Sequence, residues 1–152
     1  MIDNVGTGFN DLFQRPIFFE KIGGQIVNKE FNPTLTISTW PDEGLILDKH
    51  VEKVKTFISS SFTDYKLISS NSVLVDGQKA QILEYNITNT VNFNTPTESC
   101  ENCNFKLGKL DLIVADGRGN IYYVAGVAPQ AEWTRYRELI ANSQRTFRLF
   151  SK

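Results

Sequence analysis

The patterning of this chain predicts an α+β domain: an antiparallel sheet covered by helices on its faces, in an α/β/α sandwich. Two long strand-like runs, residues 106–115 and 120–128, meet at Asp116-Gly117-Arg118-Gly119, whose glycines can supply the positive φ angles of a tight reversal. Two other stretches take up the period of a helix. Leu47, Val51, Val54 and Ile58 recur at spacings of four, three and four, and Trp133, Tyr136 and Ile140 fall at i, i+3 and i+7. Strand, helix, antiparallel meander and helix follow one another along the chain.

Size and charge bound the rest. A chain of 152 residues with 41% hydrophobic content can build one core without metals or multiple disulfides. Sixteen basic side chains against seventeen acidic ones leave a net charge of -1, so no global field draws in nucleic acid or an anionic membrane. No apolar run approaches the roughly 20 residues that cross a bilayer. The start, Met1-Ile2-Asp3-Asn4-Val5, lacks the basic and apolar stretches of a signal peptide. A soluble monomer is expected, with no transmembrane segment and no nucleic-acid partner. A chain trimmed at a processing site would begin just as abruptly, so these residues assign no compartment.

Residues 1–30 read as an N-terminal segment with short strands at 15–19 and 25–27 around Gly23-Gly24, and residues 31–152 as the main globular unit, in a single domain overall. Asn32-Pro33 signals a turn. Residues 34–40 then alternate, Leu35 and Ile37 against Thr36 and Ser38, as in a half-buried strand. Pro41-Asp42-Glu43-Gly44 ends it, and the first helix follows with Lys49, Glu52, Lys53 and Lys55 mostly off the apolar face. Strand-like runs return at 65–69 and 72–75, and Asp76-Gly77 turns the chain into a further strand at 79–87. There Ala80 and Ile82 face one way and Gln81, Leu83 and Tyr85 the other. Residues 88–104, rich in Asn, Thr and Pro, read as a long loop of the kind that is functional or disordered. After the hairpin at 106–128, Pro129 breaks the sheet, a helix runs over 130–142, and Phe147-Arg148-Leu149-Phe150 makes a short apolar end.

Cys100-Glu101-Asn102-Cys103, inside the long loop, is the most conspicuous local motif. Zinc would need four ligands, and the only further soft or borderline donor is the distant His50. A redox pair would need the first thiol at a helix N-terminus after a strand, whereas the flanks here are acidic and no helix follows. A local disulfide stapling the loop and two ordinary thiols complete the alternatives. His50 has no adjacent nucleophile and reads as a surface histidine. Glu84, Asp111 and Asp116 are scattered over strands and turns and are expected on the solvated surface. Gly6-Thr7-Gly8 and the 116–119 turn match no phosphate-binding pattern. Asn86-Ile87-Thr88 fits the glycosylation triplet, a weak signal in a chain this rich in Asn and Thr. Arg135, Arg137, Arg145 and Arg148, interleaved with Trp133, Tyr136 and Phe147, have the composition of a partner-contact surface, although Trp133 and Tyr136 lie on the stripe that must cover the sheet. No catalytic machinery is evident.

Residues 109–115, the glycine turn, residues 120–128, Trp133 and the run Asn142-Ser143-Gln144-Arg145-Thr146-Phe147 together resemble the C-terminal half of the PsbP family. Residues 32–38 resemble its Asn-hydrophobic strand and Val75-Asp76-Gly77-Gln78-Lys79-Ala80 its mid-chain hairpin, so the likeness spans residues 31–150. Gly8 to Ile26 matches the family's opening strand only vaguely, and the cysteine-bearing loop is not a general family feature. The resemblance implies an antiparallel sheet between helices, a final Ser-Phe-type strand, and a binding function. Family members associate with photosystem II on the lumenal side, where some help retain calcium and chloride at the oxygen-evolving centre or aid assembly; others are lipoproteins or extracytoplasmic domains. It carries over no metal ligand, and calcium enters by family analogy alone. The expectation is therefore a non-enzymatic accessory domain, extracytoplasmic and peripheral to a membrane (thylakoid lumen or cell envelope), docking on a membrane protein complex through residues 88–104 and the arginine-bearing last helix. A thiol-dependent redox protein using Cys100 and Cys103 and a small-ligand carrier are the alternatives.

Overall fold

The computed structural model describes residues 19–22, 25–28, 34–94, 96 and 99–149. Strands β1 (Phe19–Ile22) and β2 (Gln25–Asn28) pair antiparallel in a sheet of their own. The strand expected at 15–19 meets β1 only at Phe19; its remainder, the Gly23-Gly24 turn and Gly6-Thr7-Gly8 lie outside the described residues. The main sheet is antiparallel throughout, in the order β3-β7-β6-β5-β4, from β3 (Thr34–Pro41), β4 (Thr63–Val75), β5 (Gln78–Asn94), β6 (Ser99–Ala115) and β7 (Asn120–Pro129). Helix α1 (Leu47–Ser61) joins β3 to β4. Helix α2 (Trp133–Arg145) follows β7 through one 3-10 turn, Gln130–Glu132. The fold is α+β, with the sheet between the two helices.

Cross-strand register decides which helix each side chain meets. Tyr85 lies opposite Lys109 and Leu83 opposite Asp111, while Glu84 lies opposite Leu110 and Ile82 opposite Leu112. The first set faces α1, whose Val51, Val54 and Ile58 pack with Leu83, Tyr85, Ile87, Ile113 and Tyr123. The second faces α2, whose Trp133 and Ile140 pack with Leu110 and Ala128. Covering both faces explains why the central strands carry near-continuous apolar runs around 110–115 and 121–128.

Three expectations change. The runs at 65–69 and 72–75 belong to the single strand β4, which keeps its pairing with β5 through irregularities between Thr63 and Lys66 and between Leu67 and Ser69. Polar Ser69, Ser70 and Asn71 are tolerated because β4 is an edge strand. Residues 88–94 and 99–104, expected in a loop, are strand: the β5–β6 ladder continues through Thr90↔Asn104 and Val91↔Cys103 to Asn94↔Ser99. Past Thr88 neither β4 nor β7 pairs with this hairpin, and its described side chains, Thr90, Asn92, Asn94, Ser99, Glu101, Asn102 and Asn104 among them, are mostly exposed and need no apolar alternation. Asn and Thr still serve the pairing: Thr90 Oγ1 donates to Asn104 Oδ1 at 2.6 Å, and the Asn102 amide donates to Asn92 Oδ1. Finally, residues 147–149 form no strand; Phe147 and Leu149 pack as irregular chain against the cluster of Ala80, Leu112, Val114 and Val124.

Two glycines set how closely α2 approaches the sheet. A Cβ on Gly126 would stand 2.1 Å from Ile140 Cγ2, and one on Gly108 would stand 2.4 Å from the Trp133 ring. The absence of a side chain is required at both places for steric reasons. Gly126→Ala should therefore destabilise the fold by about 1–3 kcal/mol through overpacking. Thermal unfolding of Gly126→Ala, Ile140→Ala and the double variant should show a double-variant loss well below the sum of the single losses.

Candidate functional site

The carboxylates expected on the surface are all buried, each for a different reason. Asp111 and its β6 neighbour Lys109 both expose 0% of their surface, beneath α1. Lys109 Nζ lies 3.5 Å from Asp111 Oδ1, and the Tyr85 hydroxyl donates to Asp111 Oδ2. Lys109 Nζ also sits 5.6 Å from the centre of the Tyr85 ring, which in turn contacts the Tyr65 ring. Burial raises the Asp111 pKa, with Lys109 and Tyr85 opposing, and burial lowers that of Lys109, with Asp111 opposing. The Tyr85 phenol is pushed up by burial and by the charge of Asp111, so it remains a donor. An amine, a carboxylate and a phenol in mutual reach can perform acid–base chemistry where a substrate arrives. Here the packing of α1 over 0%-exposed groups makes the set a polar core network, fixing β5 against β6.

Asp116 is buried because it organises the β6–β7 turn. Its Oδ1 accepts from the Arg118 amide at 2.6 Å and the Asn120 amide at 3.1 Å, and its Oδ2 accepts from Asn120 Nδ2 at 3.0 Å. Burial works against its charge, but these bonds outweigh it and hold the pKa below the ordinary value.

Glu84 fastens α2 to β5: its Oε2 accepts from Trp133 Nε1 at 3.1 Å and its Oε1 from Arg137 Nε at 2.7 Å. One helical turn from Ile140, Gln144 Nε2 donates to the carbonyls of Leu110 and Val124 at 2.8 and 2.7 Å, while its buried Oε1 has no hydrogen-bond partner among the described residues. Beside Gln144 opens a cleft of about 600 Å³ between the C-terminal half of α2 and the β4–β5 hairpin. Val73, Val75, Ile82, Leu110 and Leu112 provide apolar lining, Ala141, Gln144 and Phe147 stand along it, and Arg137, Arg145 and Arg148 bring positive charge. The one carboxylate lining it is Asp76, whose Oδ1 lies 3.9 Å from Arg148 Nε and whose Oδ2 accepts from the Leu149 amide at 2.7 Å. Those contacts tie the C-terminal segment to the β4–β5 turn.

Three of the four arginines singled out from the sequence thus converge. Arg135 does not, standing 5.1 Å from the centre of the Tyr136 ring instead. His50 is not a surface residue: its Nε2 donates to the Asp42 carbonyl at 2.7 Å and it is buried, pinning the β3–α1 connection. Cys103 lies within strand β6 and is not a free thiol; the Cys100 side chain lies outside the described residues. Asn86-Ile87-Thr88 runs along β5 with Ile87 and Thr88 buried. Lys109, Gln144 and the β4 contribution to the cleft were missed by sequence reasoning. Gln144 had a signal, being one helical turn beyond Ile140 on the buried face.

Removing one partner of the Lys109–Asp111 pair leaves an uncompensated buried charge. Lys109→Met or Asp111→Leu alone should cost about 3–5 kcal/mol, and the combined variant less than either, in urea unfolding. For Asp116 the native pKa is depressed, so its stabilisation is full above the unfolded carboxylate range and lost as pH falls below about 4. Asp116→Asn should lower stability at neutral pH and flatten its acid dependence, read from chemical unfolding across that range.

No family model and no curated protein matches the chain. Among solved structures it is similar to the Pseudomonas aeruginosa protein PA94, of unknown function, with a TM-score of 0.59 and 8% identity over 89% of this chain and 98% of that one. It is also similar to the cyanobacterial PsbP, CyanoP, of Synechocystis sp. PCC 6803, with a TM-score of 0.50 and 16% identity over 78% of this chain and 67% of that one. At these identities the likeness is one of fold: this chain has a PsbP-like α+β architecture.

Proposed function

We propose that the protein is a non-enzymatic accessory domain that docks on a membrane protein complex from outside the cytoplasm, with the cleft between α2 and the β4–β5 hairpin as its contact surface. The observation that carries this reading is the convergence of Arg137, Arg145 and Arg148 on a cleft with apolar lining, where Glu84 pairs with Arg137, Asp76 lies beside Arg148, and one positive charge is left in excess. Arginine beside aromatic and aliphatic side chains is the composition of interface hot spots. The shared fold with a cyanobacterial PsbP supports a role in a complex, and photosystem II is the partner that this analogy names if the source is photosynthetic. No helix among the described residues is long and apolar enough to cross a membrane, in keeping with peripheral attachment. A disulfide between Cys100 and Cys103, both on β6, would close a short loop within that strand in such an oxidising compartment.

Affinity capture from detergent-solubilised membranes of the source organism, with mild cross-linking and mass spectrometry, tests the proposal. The expected result is one membrane complex retained by the parent chain and lost by Arg145→Glu/Arg148→Glu. Retention of no membrane complex by the folded parent would overturn it.

A further inference from the structure

We infer that the cleft receives an extended peptide of alternating acidic and apolar side chains, added as a strand to the free edge of β4. This rests on the docking reading above and gives the chemistry of the partner segment. Among the described residues β4 pairs only with β5, so its outer row of amides and carbonyls faces away from the sheet. Such edges are normally blunted by charge, proline or bulges. The first part of β4 follows that rule, with Asp64, Lys66 and both register irregularities. Residues 69–75, Ser-Ser-Asn-Ser-Val-Leu-Val, do not: they carry no charge and no proline, and they pair residue for residue from Ser69↔Glu84 to Val75↔Gln78. This regular part of the edge is also the part that lines the cleft.

The side chains around the edge specify what can pair there. Asn71 and Val73 lie opposite Ile82 and Ala80, on the α2 face, so an added strand would turn every second side chain toward α2 and its following segment. Arg145 and Arg148 are exposed there; Glu84 pairs with Arg137 and Asp76 lies 3.9 Å from Arg148, so the three arginines exceed these two carboxylates by one positive charge, which favours acidic side chains. The intervening side chains would fall on the opposite face beside Leu74, which is 71% exposed. Main-chain pairing supplies affinity and the arginines supply selection, as in other cases of strand addition.

The test uses an eight-residue peptide of alternating valine and glutamate, capped at both ends. Its partners are the same sequence with lysine for glutamate and the glutamate peptide N-methylated at every residue, which cannot donate main-chain hydrogen bonds. Titration by fluorescence anisotropy should give saturable binding of the first peptide alone, weakened at least about tenfold by Arg145→Glu/Arg148→Glu, with thermal unfolding confirming that the variant is folded. Amide exchange should slow within residues 69–75 on binding. Absence of saturable binding, equal binding of the N-methylated peptide, or protection confined elsewhere would overturn the inference. So would concentration-dependent self-association that protects residues 69–75, which would assign the edge to a second copy of the chain. If the arginine variant still captures the membrane complex, docking stands and strand addition at the cleft falls; if the parent captures none while the peptide binds, the docking proposal fails and the peptide site stands.

Discussion

Helix α2 can lie only as close to the sheet as the residues beneath it allow, and Gly108 and Gly126 allow backbone contact. Trp133 rests where a Gly108 side chain would be, and Ile140 where one on Gly126 would be. With those two contacts fixed, Glu84 can hold Trp133 and Arg137 together, and Gln144 can reach the carbonyls of Leu110 and Val124. The chain beyond α2 then arrives at the β4–β5 turn, where Asp76 binds it. A helix raised by even one methyl group would disturb all of these at once, because close-packed interiors transmit rather than absorb a change of volume. The cleft therefore depends on a steric fact of the sheet, and the contacts of Arg137 with Glu84 and of Arg148 with Asp76 can form only once it is met.

The fold was legible wherever a segment had one buried face and one wet face. Leu47, Val51, Val54 and Ile58 declared α1, and Asp116 to Gly119 declared the β6–β7 reversal, because each obeys a period or a turn chemistry that no tertiary contact overrides. Lys109 and Asp111 show where that logic stops. Flanked by Leu110 and Leu112, they look like the solvated half of an alternating strand. The alternation is real, but α1 covers the face that a two-layer sheet would leave to water. Local sequence cannot say whether a second helix will close over the polar side. Residues 88–104 fail in the opposite direction, since a ladder whose described side chains past Thr88 are mostly exposed has the composition of a loop.

The candidate site divides in the same way. Charge and aromatic content marked the C-terminal arginines as a group, but not which of them would meet. Arg137, Arg145 and Arg148 are brought to one cleft partly by helical spacing and partly by the bend after α2 that Asp76 secures, while Arg135 turns to the Tyr136 ring. A third of the cleft lining comes from β4, about sixty to eighty residues earlier in the chain, and only the strand order brings it near. No window of sequence contains that juxtaposition.

Core and cleft make separate demands on the chain. The core asks for small residues at 108 and 126, apolar side chains on both faces of β6 and β7, and partners for Glu84 and Asp111; any sequence meeting those demands can hold this architecture. The rim residues Arg145 and Arg148 and the β4 edge at Asn71 and Leu74 are exposed and belong to none of the core clusters. Recognition is thus free to change while the fold persists. That separation lets architectural likeness coexist with 8% and 16% identity, and under the proposed docking function a partner would meet the exposed groups at the edge of β4 and the end of α2.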